Sequence, residues 1–277
     1  MICLDSGGLS YDRLWLTTSL RGNLVATVKV DVLTEGIHSG QGGGVVPSSF
    51  RILRRILSNI EDEANGRILL PELRGAGIPE KDRANLESLA AEFPDSTAPV
   101  VDGLHLLTPD PLDRLIARTW GAALEVTGAD GLPKPRDGGN VLRPSTTLKF
   151  SLRLPPDVDA QAATDALISA IRTDEGAHVT IDMEAAAQGW VAPPLTRAVA
   201  TTLSAVSRER FGRAPAFVGE GGSIPFLADL QRGFPGTQFV ATGVLGPHSN
   251  AHGPNESLHI PMAKAVTHAV AELLKEA

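Results

Sequence analysis

Cysteine, aromatics, basic charge and long apolar runs are all scarce in this sequence. Cys3 is the only cysteine in 277 residues, so no intrachain disulfide can form and a reducing cytoplasm suits the chain. Aromatic residues make up 4% against 42% hydrophobic residues in all, so a buried core has to be aliphatic. Acidic residues outnumber basic ones, 32 to 25, and the net charge of -7 gives no support for a nucleic-acid partner. No basic amphipathic stretch points to a membrane surface. No apolar run approaches the roughly 20 residues that span a bilayer. The start, Met1-Ile2-Cys3-Leu4-Asp5, lacks a basic region and is interrupted by an acid, unlike a signal peptide. A soluble protein is expected.

What is present is strong periodicity. Between Asn23 and Leu33, Val28, Val30 and Val32 alternate with Thr27, Lys29 and Asp31, the pattern of a half-buried strand. Phe50, Leu53, Ile56, Leu57 and Ile60 recur at helical spacing, with Asn65-Gly66 as the expected stop. Residues 67–111 give weak signals. A helix is expected from Asp110 to Thr127, with Leu112, Leu115, Ile116 and Leu124 inward. Thr146, Leu148, Phe150, Leu152 and Leu154 mark the clearest strand; a helix from Ala160 to Arg172 and a strand through Val179, Ile181 and Met183 follow. This predicts an α+β domain over residues 22–188, an antiparallel sheet with helices on one face. From 189 to 277 helices and short strands alternate, which reads as an α/β layer too small to be complete.

Four segments carry residues of chemical interest. Glu35 to Pro47 holds His38 among five glycines, without the Gly-Lys-Ser/Thr of a phosphate loop. Gly219-Glu220-Gly221-Gly222-Ser223-Ile224-Pro225 opens a helix, with Ser223 as a candidate N-cap and Pro225 in the first turn. Its free N–H groups could attract an anion. It is not a serine-hydrolase elbow, because Pro225 stands in the last glycine's place. His248 and His252 lie four apart in a loop bounded by Pro254. Asp5 ends a short apolar run. Taken singly, each has a plainer reading: a turn, a cap, a solvated histidine.

Taken in order, the phrases resemble the carnosinase/aminoacylase family of dinuclear zinc peptidases, its cytosolic dipeptidase branch above all. They are Asp5, Leu20-Arg21-Gly22, His38-Ser39-Gly40, Asn140-Val141-Leu142 leading into Ser151-Leu152-Arg153-Leu154, Glu220 to Pro225, and His252-Gly253-Pro254-Asn255-Glu256. The resemblance implies that residues 1–21 and 189–277 belong to a catalytic domain and that residues 22–188 form a lid that makes a homodimer. It implies Asp5 and His252 as ligands of two zinc (or manganese) ions, and a peptide or N-acyl amino acid as substrate. His38 matches a lid histidine that reaches the partner's active site. Arg153 matches the arginine clamping the substrate carboxylate, and Asn140 a further polar contact to that end. Gly222 and Ser223 match contacts near the metals.

Two departures qualify the expectation. The family's His-x-Asp motif, adjacent aspartates and Glu-Glu pair do not occur here. This chain is therefore expected to be the C-terminal part of an amide hydrolase, binding metal weakly or not at all and inactive alone. Residues 189–277 would then expose apolar edges. Ala185 to Ala187 also stand where dipeptidase relatives carry a histidine, which keeps N-acyl amino acid deacylation open. A non-catalytic dimerisation or binding module derived from the family is the further alternative.

Overall fold

A computed structural model describes residues 1–93, 100–172 and 176–275. The chain forms two compact units, one of Met1–Arg21, Ile78–Trp120 and Trp190–Ala277, the other of Gly22–Gly77 and Gly121–Gly189.

The Gly22 unit is built on a four-stranded antiparallel sheet in the order His178–Ala187, Gly22–Asp31, Ser145–Leu154, Ala123–Asp130. Alternation in the sequence becomes alternation in burial: Leu24, Ala26, Val28 and Val30 point into the core beside Leu148, Phe150, Leu152 and Leu154. The helices Ser49–Ile60 and Ala160–Ile171 cover that face, through Ile52, Leu53, Ile56 and Ile60 and through Ala163, Leu167 and Ile171. Asp159 caps the second helix, its side chain accepting the Ala162 N–H at 2.7 Å. The Ser145–Leu154 and His178–Ala187 strands are parallel across the Gly22–Asp31 strand between them.

The Met1 unit has a mixed three-stranded sheet, in which Trp15–Leu20 pairs parallel with Ala216–Glu220 and antiparallel with Trp190–Val191. A parallel pair, Ile2–Cys3 with Val240–Ala241, forms a separate two-stranded sheet in the same unit. Helices Glu80–Glu92, Pro111–Trp120, Arg197–Phe211 and Ile260–Lys275 bury Leu86, Leu115, Leu203 and Val266 in one core with Leu14, Trp15, Leu16 and Val218. No helix among the described residues is long and apolar enough to cross a membrane.

Several expectations are corrected. The 22–188 span is not one body, because Ile78–Trp120 packs in the Met1 unit. Helix Glu80–Glu92 buries only Leu86, Leu89 and Ala90, so its apolar stripe is too thin to read from sequence. The helix expected over Asp110 to Thr127 ends at Trp120, and Ala123–Asp130 is an edge strand. Gly121 breaks the helix, and Val126 and Thr127 favour extended backbone. Asn65-Gly66 does not stop the preceding helix, which ends at Ile60; it turns a small hairpin pairing Glu61–Asp62 with Arg67–Ile68. Gly66 there has φ +70°, the left-handed conformation that glycine adopts without penalty.

Candidate functional site

The predicted site residues fall into groups, each positioned within one unit. In the Gly22 unit, His38 ends the two-residue strand Ile37–His38, which pairs antiparallel with Val141–Leu142 in the register His38 to Val141. The Ser39 N–H donates to the Asn140 carbonyl at 2.9 Å. His38 and Asn140 are thereby neighbours, both exposed. Gly42 beside them is closely packed: a Cβ there would sit 2.7 Å from Ile37 Cδ1 and 2.8 Å from Leu142 Cδ2.

His38 caps the short turn that follows, its Nδ1 accepting the Gly40 N–H at 3.1 Å. A ring nitrogen that accepts carries no proton, so the neutral imidazole holds its proton on Nε2 and presents an N–H donor.

Arg153 belongs to the four-stranded sheet, not to the two-stranded sheet of His38. It is next to last in the Ser145–Leu154 strand, in register with Asn23 on one side and Ala123 on the other. Eight steps along an extended strand separate it from Ser145, about 26 Å. Asn140 precedes Ser145, on the end where that strand begins and where Pro144 accepts the Val32 and Leu33 N–H groups. Asn140 therefore stands with His38 and away from the Arg153 of its own chain.

In the Met1 unit, Asp5 follows the Ile2–Cys3 strand and the Glu220–Ser223 loop follows Ala216–Glu220. Both sit at the carboxyl ends of parallel strands, where open α/β sheets bind ligands. The turn after Asp5 is tied to Leu245 by a parallel bridge at Gly7, and the Gly8 N–H donates to the Leu245 carbonyl at 2.8 Å. The loop carrying His252 starts there. Its backbone is unusual: His248, Asn250, His252 and Asn255 all have positive φ, between 53° and 65°. Left-handed conformations cost free energy for residues with a Cβ, and such strain concentrates at functional loops. The His252 N–H donates to Glu256 Oε2 at 3.2 Å.

Ser223 is not an N-cap. Helix Pro225–Gly233 is capped by Ile224 without a side-chain bond, and Pro225 takes the first turn as expected. The Ser223 hydroxyl donates instead to the Arg21 carbonyl at 2.6 Å, and Arg21 Nε donates to the Gly221 carbonyl at 3.2 Å. Gly219 and Gly222 differ: a Cβ at Gly219 would sit 2.5 Å from Ser19 Oγ, whereas one at Gly222 would meet nothing within 4 Å. Gly219 serves packing; the space beside Gly222 is open.

Asp5 and His252 are of the donor types zinc accepts, a carboxylate and an imidazole, and both are exposed. Among the described residues no group of three or more His, Cys, Asp or Glu side chains could hold a metal ion. The donors fit in kind and fall short of the three or four that zinc takes.

Residues 19–179 match the peptidase dimerisation domain of the M20 peptidases. The chain belongs to the M20 metallopeptidase family. It is 30% identical over 275 residues to the cysteinylglycine-S-conjugate dipeptidase of Corynebacterium striatum, covering 98% of this chain and 58% of that enzyme. It is 26% identical over 271 residues to a Cys-Gly metallodipeptidase of Saccharomyces cerevisiae, covering 94% of this chain and 55% of the yeast enzyme. The chain thus spans under two thirds of the length of these curated relatives. Human carnosine dipeptidase 1 shares the fold, with a TM-score of 0.79 at 19% identity over 99% of this chain and 60% of that one. Glu220, a residue of the Glu220 to Pro225 phrase to which the sequence assigned no task, accepts from the turn after Asp5, from the Ser6 hydroxyl and the Gly7 N–H.

Proposed function

We propose that this M20 chain is the dimer-forming lid together with part of the catalytic layer of a cytoplasmic, metal-dependent amide hydrolase whose substrate ends in a free carboxylate. Dipeptides are the favoured class, because the relatives named above are dipeptidases. The observation that carries the reading is the separation, within one unit, of the His38–Asn140 pair before the start of the Ser145–Leu154 strand from Arg153 near its end. A single copy does not bring both ends of that strand to one small substrate, whereas two copies related by a two-fold axis can exchange them.

In this account Arg153 holds the substrate carboxylate through two parallel N–H donors, a geometry lysine does not reproduce. His38, supplied by the partner subunit, offers its Nε2 N–H to the oxygen that gains charge as the amide carbon becomes tetrahedral. A donor in that role commonly contributes about 3 kcal/mol. Asn140 arrives with His38, so its polar group also comes from the partner. Gly222 and Ser223 lie against the substrate backbone, where the absent side chain at 222 gives room. Asp5 and His252 would each hold one metal ion, zinc or manganese, together with ligands that the described residues do not include. When bound, such ions polarise a carbonyl and lower the pKa of water.

The test is hydrolysis of a panel of Cys-Gly, β-Ala-His and N-acyl amino acids by the full-length protein, with and without added zinc. Zinc-dependent cleavage of the dipeptides supports the reading. Cleavage of N-acyl amino acids alone moves it to a deacylase. No cleavage of either leaves a dimerisation or binding module.

A further inference from the structure

Glu220 has no role assigned above, yet its carboxylate joins the Asp5 turn to the loop that runs on to Gly222 and Ser223: Oε1 accepts the Gly7 N–H at 2.9 Å and the Ser6 hydroxyl at 3.0 Å. We propose that Glu220 is a positioning residue that locks these two segments together, so that the Asp5 carboxylate and the substrate-facing loop keep a fixed relation. The proposal deepens the amide-hydrolase reading, since the segments it couples are those assigned there to metal and substrate.

The proton order is determined by what each group can do. Ser6 also bonds the Thr17 hydroxyl, and both residues are 3% exposed. A carboxylate only accepts, so Ser6 spends its one proton on Glu220 and must accept from Thr17. The chain Thr17 to Ser6 to Glu220 is directional, and it ends correctly only on an acceptor. A neutral apolar side chain at 220 would leave a buried hydroxyl and the Gly7 N–H without that partner.

The turn has little freedom to compensate. A Cβ at Gly7 would sit 2.4 Å from the Leu245 oxygen, and one at Gly243 would sit 1.7 Å from the Ser6 oxygen. The other end of the link is equally held: the Arg21 N–H donates to the Glu220 carbonyl at 3.4 Å, and Arg21 takes part in the Gly221 and Ser223 bonds already described. Side-chain length matters as well as charge. Aspartate is one methylene shorter and cannot reach Gly7 from the same backbone, whereas glutamine keeps both the reach and the Oε1 acceptor.

The experiment compares Glu220→Ala and Glu220→Gln with wild type in the full-length protein, by amide exchange at Gly7 and by kcat/KM on a Cys-Gly dipeptide. The alanine variant should raise Gly7 exchange at least about tenfold and lower kcat/KM by a similar factor, and glutamine should restore both to near wild type. Should the alanine variant not fold, Glu220→Asp takes its place in the same comparison. Unchanged Gly7 exchange in the alanine or aspartate variant, or identical behaviour of that variant and glutamine, overturns the proposal. If wild type cleaves no amide at all, the hydrolase reading fails on its own, and Gly7 exchange still decides whether Glu220 holds the turn.

Discussion

Asn140 is bound to the backbone beside His38, its carbonyl accepting the Ser39 N–H at 2.9 Å next to the His38–Val141 register pair. The two residues are far apart in sequence and are held side by side by backbone bonds. Whatever subunit supplies one supplies the other.

Arg153→Lys should lower kcat/KM about 10- to 100-fold on substrates with a free carboxylate, because an ammonium replaces a bidentate fork with a point charge. On C-terminally amidated dipeptides the same substitution should cost little beyond what amidation already costs. Steady-state kinetics on the amidated and free pair measures the difference. An equal loss on both would assign Arg153 to the scaffold.

The glycines of the Glu220 loop should separate by function. Gly219→Ala drives a Cβ towards Ser19 Oγ and lies 3.0 Å from Thr119 Cβ, so it should destabilise the fold by about 1–3 kcal/mol. Gly222→Ala meets open space and should stay within about 0.5 kcal/mol of wild type in denaturant unfolding. Its effect should appear in KM, through the room it removes from the bound substrate.

A charge network should govern the acid stability of the Met1 unit. Arg13, largely buried and stacked 5.4 Å over Trp15, pairs with Glu92, and Arg213 bonds both Asp12 and Glu92, the latter at 2.7 Å. Burial pushes both carboxyls up, but the hydrogen bonds outweigh it: from Arg213 and Arg13 at Glu92, and from Ser10 and Arg213 at Asp12. Both pKa values end below their ordinary 4.5 and 3.8. A depressed folded-state pKa contributes stability that is complete above the ordinary value and is lost as pH falls through the folded value. Thermal melts should therefore lose Tm as pH drops below about 4.5, and Arg213→Ala should make that loss shallower. Parallel acid limbs in the two proteins would contradict the network's role.

Much of this was legible in the sequence, for a physical reason. Val28 and Val30, or Leu148 and Phe150, must each choose a face, so alternation exposes the sheet; Ile52, Leu53, Ile56 and Ile60 do the same for the helix that covers it. The helix Glu80–Glu92 and its membership of the Met1 unit were not legible, since three buried residues leave no stripe and the contacts that place it are long-range. Gly121 was the available signal that the helix from Pro111 stops early. Within the site, the chemistry-bearing residue types could be read, but their grouping could not. The Ser39–Asn140 bond joins two backbone groups and the Gly7–Glu220 bond has a backbone donor, and backbone groups, which every residue carries, leave no mark in a pattern of side chains.

Mixed-dimer complementation tests the central claim most directly. Each of His38→Ala, Asn140→Ala and Arg153→Ala should be nearly inactive as a homodimer. Equal mixing with subunit exchange of His38→Ala and Arg153→Ala should restore about a quarter of wild-type activity, since half the dimers then hold one intact site out of two. Asn140→Ala with Arg153→Ala should recover as well, and His38→Ala with Asn140→Ala should stay inactive, because both losses fall on the same shared end. Recovery in that last pair, or its absence in the first two despite verified exchange, would contradict a site assembled from opposite ends of two lids.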